Sequence, residues 1–339
     1  MLYTRRELGK LALAALPASR ALAAPRIDSK FGGVQIGVIT YSLRTLATPD
    51  PQAIIDACVE IGLGEVELMS DHCEALAGAP RAAGRAGGGA ATPAPPAAPQ
   101  GAGGIQRSGG GRGQGGVRAL SAEQQSARDK LAAWRADATP ATWQAVTRKF
   151  NDAGIDVALL CYNMNDNMQD EDIEYGFKMA EGLGAKALST STTLSMAKRI
   201  APIADKHKLP IGYHGHDATD DPNQTATLES YYTLMAYGRY NGINLDIGHF
   251  TAAGYDAVDF IEKYHDKITN LHIKDRKKDH GPNVEWGKGD TPLKEVLLLC
   301  KKNKYPFPAN IEREYPVPEG SNLIAEFKKC LAYARNILV

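Results

Sequence analysis

The sequence has 339 residues, 43% of them hydrophobic and 23% charged, a composition typical of a folded globular protein that excludes fibrous and fully disordered chains. Lysine plus arginine and aspartate plus glutamate both number 39, so no overall positive charge favours binding to nucleic acid. We therefore expect no nucleic-acid partner.

The first 25 residues have the pattern of an export signal. Arg5 and Arg6 precede a short apolar run, and Ala21-Leu22-Ala23 supplies the small residues that a signal peptidase needs. The apolar run is too short and too interrupted to span a bilayer, so we expect no stable membrane insertion. We predict a twin-arginine signal peptide over residues 1–25 and delivery to the periplasm through the Tat export machinery.

Short apolar runs then alternate with amphipathic stretches along the chain. Strands are predicted at residues 34–40, 65–69, 155–161, 185–189, 210–214, 243–246, 268–273 and 308–312. Helices are predicted at residues 51–61, 141–153, 172–183, 195–207, 228–237, 257–264, 293–303 and 323–338. Strict alternation with continuously apolar strands favours a parallel sheet, and eight such units predict a single α/β domain, a (β/α)8 TIM barrel over residues 34–339. The alternative is an open doubly wound sheet, but the sequence has no G-x-G-x-x-G motif after the first predicted strand.

Residues 80–118 interrupt this alternation after the second predicted strand. Glycine, alanine and proline dominate the segment, and its only charged residues are arginines. Such a segment cannot bury enough apolar surface to offset its conformational entropy. We predict a disordered, low-complexity insertion in a surface loop of the barrel.

Five cysteines are scattered without a C-x-x-C pair: Cys58, Cys73, Cys161, Cys300 and Cys330. This spacing indicates neither a zinc knuckle nor a disulfide framework. We expect most of them to be small buried side chains.

Polar residues end the predicted strands, and the carboxyl ends of TIM-barrel strands are where active sites form. The second strand contains Glu67, and the later ends read Tyr213-His214-Gly215-His216-Asp217, Asp246-Ile247-Gly248-His249, His272-Ile273-Lys274-Asp275-Arg276 and Glu312-Arg313-Glu314. So many imidazoles and carboxylates have no use in a core, because each buried charge needs a partner. Mixed nitrogen and oxygen ligands predict a divalent metal, Mn, Co, Zn or Mg, in preference to Ca.

A family resemblance is visible in these residues. It rests on the run at residues 36–44, Glu67, Tyr213-His214-Gly215-His216, Asp246 with His249, His272-Ile273-Lys274-Asp275, and Glu312. The chain resembles the xylose isomerase-like sugar phosphate isomerase/epimerase family, which also contains inosose dehydratases and the endonuclease IV type of DNA repair enzyme. The resemblance covers residues 34–338 except the insertion.

The resemblance implies a metal site. In relatives of the ketose epimerase type, the metal is held by a Glu on the fifth strand, an Asp on the sixth, a His on the seventh and a Glu on the eighth. Asp246, His272 and Glu312 match the last three, whereas His214 stands where the first Glu would be. We predict metal ligands at Asp246, His272 and Glu312, with His214 as the fourth.

The implied reaction is metal-assisted proton transfer next to the carbonyl of a sugar or keto-sugar, as in an isomerase or epimerase. The base is predicted to be Glu312, Glu67 or His216. Lys274 is predicted to polarise the oxygen or return a proton, with a rim ion pair to Asp275 as the alternative.

Substrate contacts are predicted for four further residues: His249, Trp286, Tyr41 and Arg276. Trp286 lies in a Gly-rich loop after the seventh strand, whose backbone amides are either ligand donors or part of a solvated turn. Three other functions remain open: a lyase or dehydratase acting on a 3-keto-sugar or 3-keto-glycoside, an endonuclease IV-like nuclease, and a non-catalytic sugar-binding protein. The sequence leaves the oligomeric state undetermined.

Overall fold

A computed structural model describes residues 24–46, 48, 50–80 and 121–339. The predicted signal peptide, except its last two residues, and residues 81–118 of the predicted insertion lie outside the described residues. The described chain resumes in a helix that precedes the third barrel strand, so residues 81–120 separate the second barrel strand from the third.

Eight parallel strands close into a barrel. The strands of the described residues are β1 Lys30–Phe31, β2 Val34–Ile39, β3 Glu65–Met69, β4 Asp156–Cys161, β5 Ala187–Thr190, β6 Ile211–His214, β7 Asn241–Asp246, β8 Ile268–Ile273, β9 Asp275–Arg276, β10 Asn283–Val284 and β11 Ala309–Ile311. Each of β2 to β7 pairs with the strand that follows it in the chain, and β11 pairs with both β8 and β2. This order closes the sheet and confirms the predicted TIM barrel. The short β1 pairs antiparallel with β2, and β9 pairs with β10.

Helices surround the barrel. They are α1 Gln52–Ile61, α2 Ser70–Leu76, α3 Ala122–Asp137, α4 Pro140–Asp152, α5 Asp170–Leu183, α6 Leu194–His207, α7 Leu228–Tyr237, α8 Ile247–Ala252, α9 Ala257–Tyr264, α10 Leu293–Asn303 and α11 Leu323–Leu338. All eight predicted helices are present within a few residues, and α2, α3 and α8 were not predicted. No residue of α3 is buried, so it lacks the apolar stripe by which helices are recognised. The helices α2 and α8 are only 7 and 6 residues long.

One large apolar core fills the space between strands and helices. Phe150 and Phe177, on neighbouring helices, are completely buried in it. All five cysteines are buried and unpaired, as expected for small apolar side chains. No helix in the described part of the chain is long and apolar enough to cross a membrane.

Glu65 lies at the opposite end of the barrel from the predicted active site, at the start of β3. Its side chain is buried, and its Oε1 has no hydrogen-bond partner among the described residues. Burial raises the pKa of Glu65 to about 7, although Lys186 acts in the opposite sense. Between pH 4.5 and about pH 7, Glu65 is therefore protonated in the folded protein but ionised in the unfolded chain.

We expect this glutamate to make stability depend on pH. Because its pKa is higher in the folded state, the free energy of unfolding should fall as the pH rises from about 4.5 to about 7. Glu65→Gln should remove this part of the pH dependence and raise stability at pH 8 by up to about 3 kcal/mol. Urea unfolding of the parent and the variant at pH 5 and pH 8 measures this change in the free energy of unfolding. Glu60→Gln, on the exposed surface of α1, is the control. Equal pH dependence in Glu65→Gln and the parent would refute the assignment.

Candidate metal centre

Four predicted ligands meet at the carboxyl end of the barrel. His214 and Asp246 are the last residues of β6 and β7, His272 lies near the end of β8, and Glu312 directly follows β11. Each offers one nitrogen or oxygen atom, and these atoms all lie within 4.8 Å of one another. All four side chains are buried. The strands are neighbours in the barrel, so their parallel ends bring together residues up to 98 positions apart, from 214 to 312.

Asp246 has a structural role as well. Its Oδ1 accepts a hydrogen bond of 2.7 Å from the backbone amide of His249 and so caps the start of α8. This contact fixes the direction of the Asp246 carboxylate and turns the chain so that His249 also reaches the mouth of the barrel.

Glu67 lies beneath the four ligands in a fully buried hydrogen-bond network. Its oxygens accept bonds from Ser189 and from three asparagines, Asn244 at 3.3 Å, Asn270 at 2.9 Å and Asn310 at 2.9 Å. The carboxylate is 0% exposed. This position does not support the predicted role of Glu67 as the base, because the carboxylate is fully buried and its oxygens are already hydrogen-bonded.

His272 connects this lower network to the ligand cluster. Its Nε2 lies 2.7 Å from Glu67 Oε2, and its Nδ1 lies 3.2 Å from Glu312 Oε2. Burial disfavours a charged ring, but the two carboxylates outweigh it and raise the pKa of His272 well above the ordinary value. A carboxylate behind a histidine is the arrangement that orients metal-binding imidazoles in proteins.

Lys274 is buried among three carboxylates. Its Nζ lies 3.0 Å from Asp246 Oδ2, 2.9 Å from Glu312 Oε2 and 2.8 Å from Glu314 Oε2. Burial disfavours the charge of Lys274, but these carboxylates outweigh it and raise its pKa. The lysine therefore carries a positive charge in the site.

The alternative in which Lys274 pairs with Asp275 at the rim is wrong. Asp275 Oδ2 instead accepts hydrogen bonds from the backbone amides of Gly287 and Gly289, at 2.8 and 2.9 Å. These two amides are therefore used within the loop after β8 and are not free to bind a ligand. Trp286, in the same loop, lies edge-on against Tyr333 of α11, with ring centroids 5.8 Å apart. This position in the helix layer does not support the predicted stacking of Trp286 on a sugar.

The donor set suits a metal ion. Two imidazoles and two carboxylates form a mixture of ligands that binds Zn, Mn or Co well. His214 Nδ1 is buried without a hydrogen-bond partner among the described residues, which costs stability unless something binds there. Burial and the charge of Glu312 raise the pKa of Asp246 despite Lys274, so the ionised Asp246 carboxylate is disfavoured in the absence of a further cation. The residues present therefore fit a divalent cation.

Two further histidines line the mouth next to His214. The ring of His216 lies 4.8 Å from that of His214, between centroids, and 5.1 Å from that of His249. His214 and His216 are two residues apart, and residues two apart on a strand face the same side. Both remain candidates for the roles assigned from the sequence.

Arg276 has no free side to offer a substrate. Its guanidinium contacts both carboxylate oxygens of Asp217, at 2.9 and 3.0 Å, and the backbone oxygen of Gly281. Asp217 also lies 3.0 Å from Nδ1 of His249. Although burial opposes it, contacts with His249 and Arg276 lower the pKa of Asp217. Arg276 thus fixes Asp217 and the loop, which corrects its predicted role as a substrate contact.

The strands opposite the ligands supply an apolar wall. Ile39, Met69 and Cys161 form a buried cluster separate from the main core, and Tyr41 packs against it. The guanidinium of Arg44 lies 3.8 Å above the ring of Tyr41. Burial raises the pKa of Tyr41, against the effect of Arg44, and the charges of Glu314 and Glu312 add to the rise. The contact of Tyr41 with substrate stays a prediction.

The part of the chain that carries the four candidate ligands matches a known family. Residues 189–333 match the xylose isomerase-like TIM barrel family. The xylose isomerase-like match includes all four ligands and Lys274, whereas Glu67 lies before it. No curated protein matches the sequence.

Solved structures share this fold across nearly the whole chain. A sugar phosphate isomerase/epimerase from Parabacteroides distasonis is 14% identical, with a TM-score of 0.55, and the match covers 94% of this chain and 100% of that one. The probable 3-DHS dehydratase AsbF from Bacillus anthracis is 13% identical, with a TM-score of 0.55 and coverage of 88% and 97%. The IolI protein with a binding zinc atom is 14% identical, with a TM-score of 0.54 and coverage of 90% and 99%. At these identities the likeness shows the fold.

Proposed function

We propose that this protein is a metal-dependent enzyme that isomerises or epimerises a sugar or keto-sugar by removing a proton next to its carbonyl group. The observation that carries the proposal is the convergence of His214, Asp246, His272 and Glu312, with Lys274 among them, at the mouth of a barrel. The zinc in the similarly folded IolI protein and the isomerase/epimerase among the similar structures support it.

The ligands would be His214, Asp246, His272 and Glu312, and the bound ion would act as a Lewis acid toward a carbonyl group. Lys274 keeps its charge through contacts with three carboxylates and can donate a hydrogen bond to the negative oxygen that develops as the proton leaves. Glu67 holds His272 by the 2.7 Å contact at Nε2, so Nδ1 is the nitrogen that would bind the ion.

Two of the three predicted bases remain at the mouth. Glu312 has one oxygen, Oε2, within contact distance of His272 and Lys274. His216 lies beside His214 and is partly exposed. Either is therefore proposed as the base, whereas Glu67 is fully buried beneath the ligands.

A substrate panel in heavy water tests the proposal. Purified protein loaded separately with Mn, Co, Zn or Mg is incubated with aldoses, ketoses and 3-keto-glucosides. Isomerisation or epimerisation should change the sugar without changing its composition and should exchange one carbon-bound hydrogen for deuterium. Absence of any turnover or exchange with all four metals would contradict the proposal.

The second candidate is a lyase, and the dehydratase among the similar structures favours it. A lyase would share the proton removal but expel a group from the neighbouring carbon. The same panel separates the two functions, because elimination lowers the mass of the product and isomerisation does not.

We also propose that the enzyme is exported through the twin-arginine route, on the basis of Arg5 and Arg6 before a short apolar run. Replacing both arginines by lysine should leave the protein in the cytoplasm. Fractionation of cells that express the parent and the variant measures this. Unchanged periplasmic delivery of the variant would contradict the proposed route.

A further inference from the structure

Arg313 is a buried arginine on the outer face of the barrel. It stands between Glu312 and Glu314, whose side chains both contact Lys274 in the mouth. Because side chains alternate along an extended chain, Arg313 faces the other way. Its guanidinium carbon lies 6.0 Å from the centre of the Phe327 ring in α11. The strand end itself therefore separates this guanidinium from the proposed metal site.

This arginine lacks the carboxylate partner that the other buried cations have. Among the described residues, the buried lysine and arginine side chains are those of Lys274, Arg276 and Arg313. Lys274 contacts three carboxylates, and Arg276 contacts both oxygens of Asp217. Arg313 makes no ion pair with any described residue. Arginine does not lose its charge in proteins, so Arg313 is a buried cation that lacks an opposite charge beside it.

The hydrogen-bond donors of Arg313 are also incompletely used. Its Nη1 donates to the backbone oxygen of Tyr315, and the guanidinium carbon lies 4.8 Å from the centre of the Tyr315 ring. Its Nε is buried and has no hydrogen-bond partner among the described residues. An unsatisfied buried donor destabilises the fold, and more so on a charged group, unless something binds there.

Neither Glu326 nor the segment at residues 81–120 supplies the missing carboxylate. Glu326 is buried, but one of its oxygens accepts a hydrogen bond of 3.1 Å from the hydroxyl of Tyr315, at the edge of the ring whose face Arg313 covers. Its other oxygen contacts Ser321 and Lys329. Residues 81–120 lie outside the described part of the chain, and their sequence contains no aspartate or glutamate. The missing negative charge must therefore come from elsewhere.

We propose that Arg313 binds an oxyanion, a carboxylate or phosphate group, on the outer face of β11. The guanidinium presents its N–H groups as a planar fork that matches two oxygens of such a group. The loop at residues 316–320 directly follows this strand end and is mostly exposed, so an anion can approach from solvent. Since Arg313 directly follows Glu312, the bound anion would hold the segment that carries this candidate metal ligand. The proposal does not depend on the proposed reaction, because binding can be measured without turnover.

Thermal melting of matched variants tests the site, with inorganic phosphate as the probe. The parent should melt at a temperature about 2–4 °C or more higher in sodium phosphate than in sodium chloride of equal ionic strength and pH. Arg313→Met keeps an apolar stem against the two rings but should lose this rise. Arg335→Met is the control and should keep it, because Arg335 also lies near a ring, that of Phe31 at 5.7 Å, but is exposed.

The outcomes separate anion binding from a purely structural role. No rise in the parent, or a rise retained in full by Arg313→Met, would overturn the proposal. In particular, a melting temperature that Arg313→Met lowers equally in both salts would show that the arginine only packs against Tyr315 and Phe327. If Arg313→Met does not fold, Arg313→Lys replaces it. That variant keeps the charge but loses the planar fork, so its rise in phosphate should be smaller than that of the parent.

Isothermal titration calorimetry identifies the source of the anion. If the charged group belongs to the substrate, at least one member of a panel of sugar phosphates and sugar acids should bind the parent more tightly than inorganic phosphate does. Arg313→Met should then lose this preference. If none binds more tightly, the site takes a free anion. Binding of phosphate and of the whole panel that is unchanged in Arg313→Met would overturn the site, whereas the proposed function is judged separately by turnover and deuterium exchange.

Discussion

Neutral replacements of Asp246, His272 and Glu312 should lower metal affinity more than about 100-fold and reduce turnover in proportion. Changing a residue that only supports a ligand typically costs 10–100-fold in affinity, and loss of the ligand itself costs more. Asp246→Asn is preferred to alanine because its side-chain oxygen can still cap α8. His272→Gln and Glu312→Gln likewise keep much of the shape of the site. Competition with a fluorescent chelator measures the affinity.

His265→Gln, on the outer surface against Tyr305, is the matched control and should bind metal like the parent. The variant His214→Glu adds information, because it restores the carboxylate of the ketose epimerases. It should shift metal preference toward Mn or Mg, since carboxylates favour those ions. If all three ligand variants kept full metal affinity and turnover, the central assignment of the site would be wrong.

Lys274→Met should reduce turnover by about 10²–10⁴-fold while metal binding is retained. The ammonium touches Asp246, Glu312 and Glu314, so its loss would remove the proposed donor to the reacting oxygen and leave these carboxylates available to a metal. Without metal the variant should be less stable than the parent by about 3–5 kcal/mol, because buried carboxylates lose their partner. Added metal should restore much of this stability. Steady-state kinetics and thermal melting with and without metal measure both effects.

Lys277→Met is the control for Lys274→Met. Lys277 lies on the same loop, is half exposed and pairs with Asp290 at 3.2 Å. Its replacement should change stability by less than about 1 kcal/mol, because surface ion pairs contribute little. Wild-type turnover by Lys274→Met would show that the lysine serves only to neutralise the carboxylates.

The alternation of residues along the strands contained more information than the ligand prediction used. Asn244, Asn270 and Asn310 each stand two residues before a ligand, at Asp246, His272 and Glu312. Side chains two apart on a strand face the same side, so a polar layer below the ligands follows from the sequence. What the layer binds does not follow from it, because Glu67 comes from β3, across the barrel.

Glu314, Asp217 and Arg276 show the same division. Each ends a strand or lies just beyond one, which marks it as a residue of the mouth. Only the folded chain decides that Glu314 completes the carboxylates around Lys274, and that Asp217 occupies the guanidinium of Arg276. These pairings join residues 40 and 59 positions apart in the sequence. They depend on the paths of loops, and loops have no periodic sequence pattern from which a path could be predicted.

The sequence by itself determined the eight-fold alternation of strands and helices, the end of the barrel that carries chemistry, and the identity of the four ligand candidates. The first two follow from local periodicity and from the parallel direction of the strands, which both act over short stretches of chain, whereas the four ligand candidates follow from the family resemblance. The tertiary structure alone decided that Glu67 lies beneath the site, that Trp286 lies in the helix layer and that three histidines meet at the mouth. Such distances depend on strand stagger and loop paths, which bring distant residues together and which no local pattern encodes.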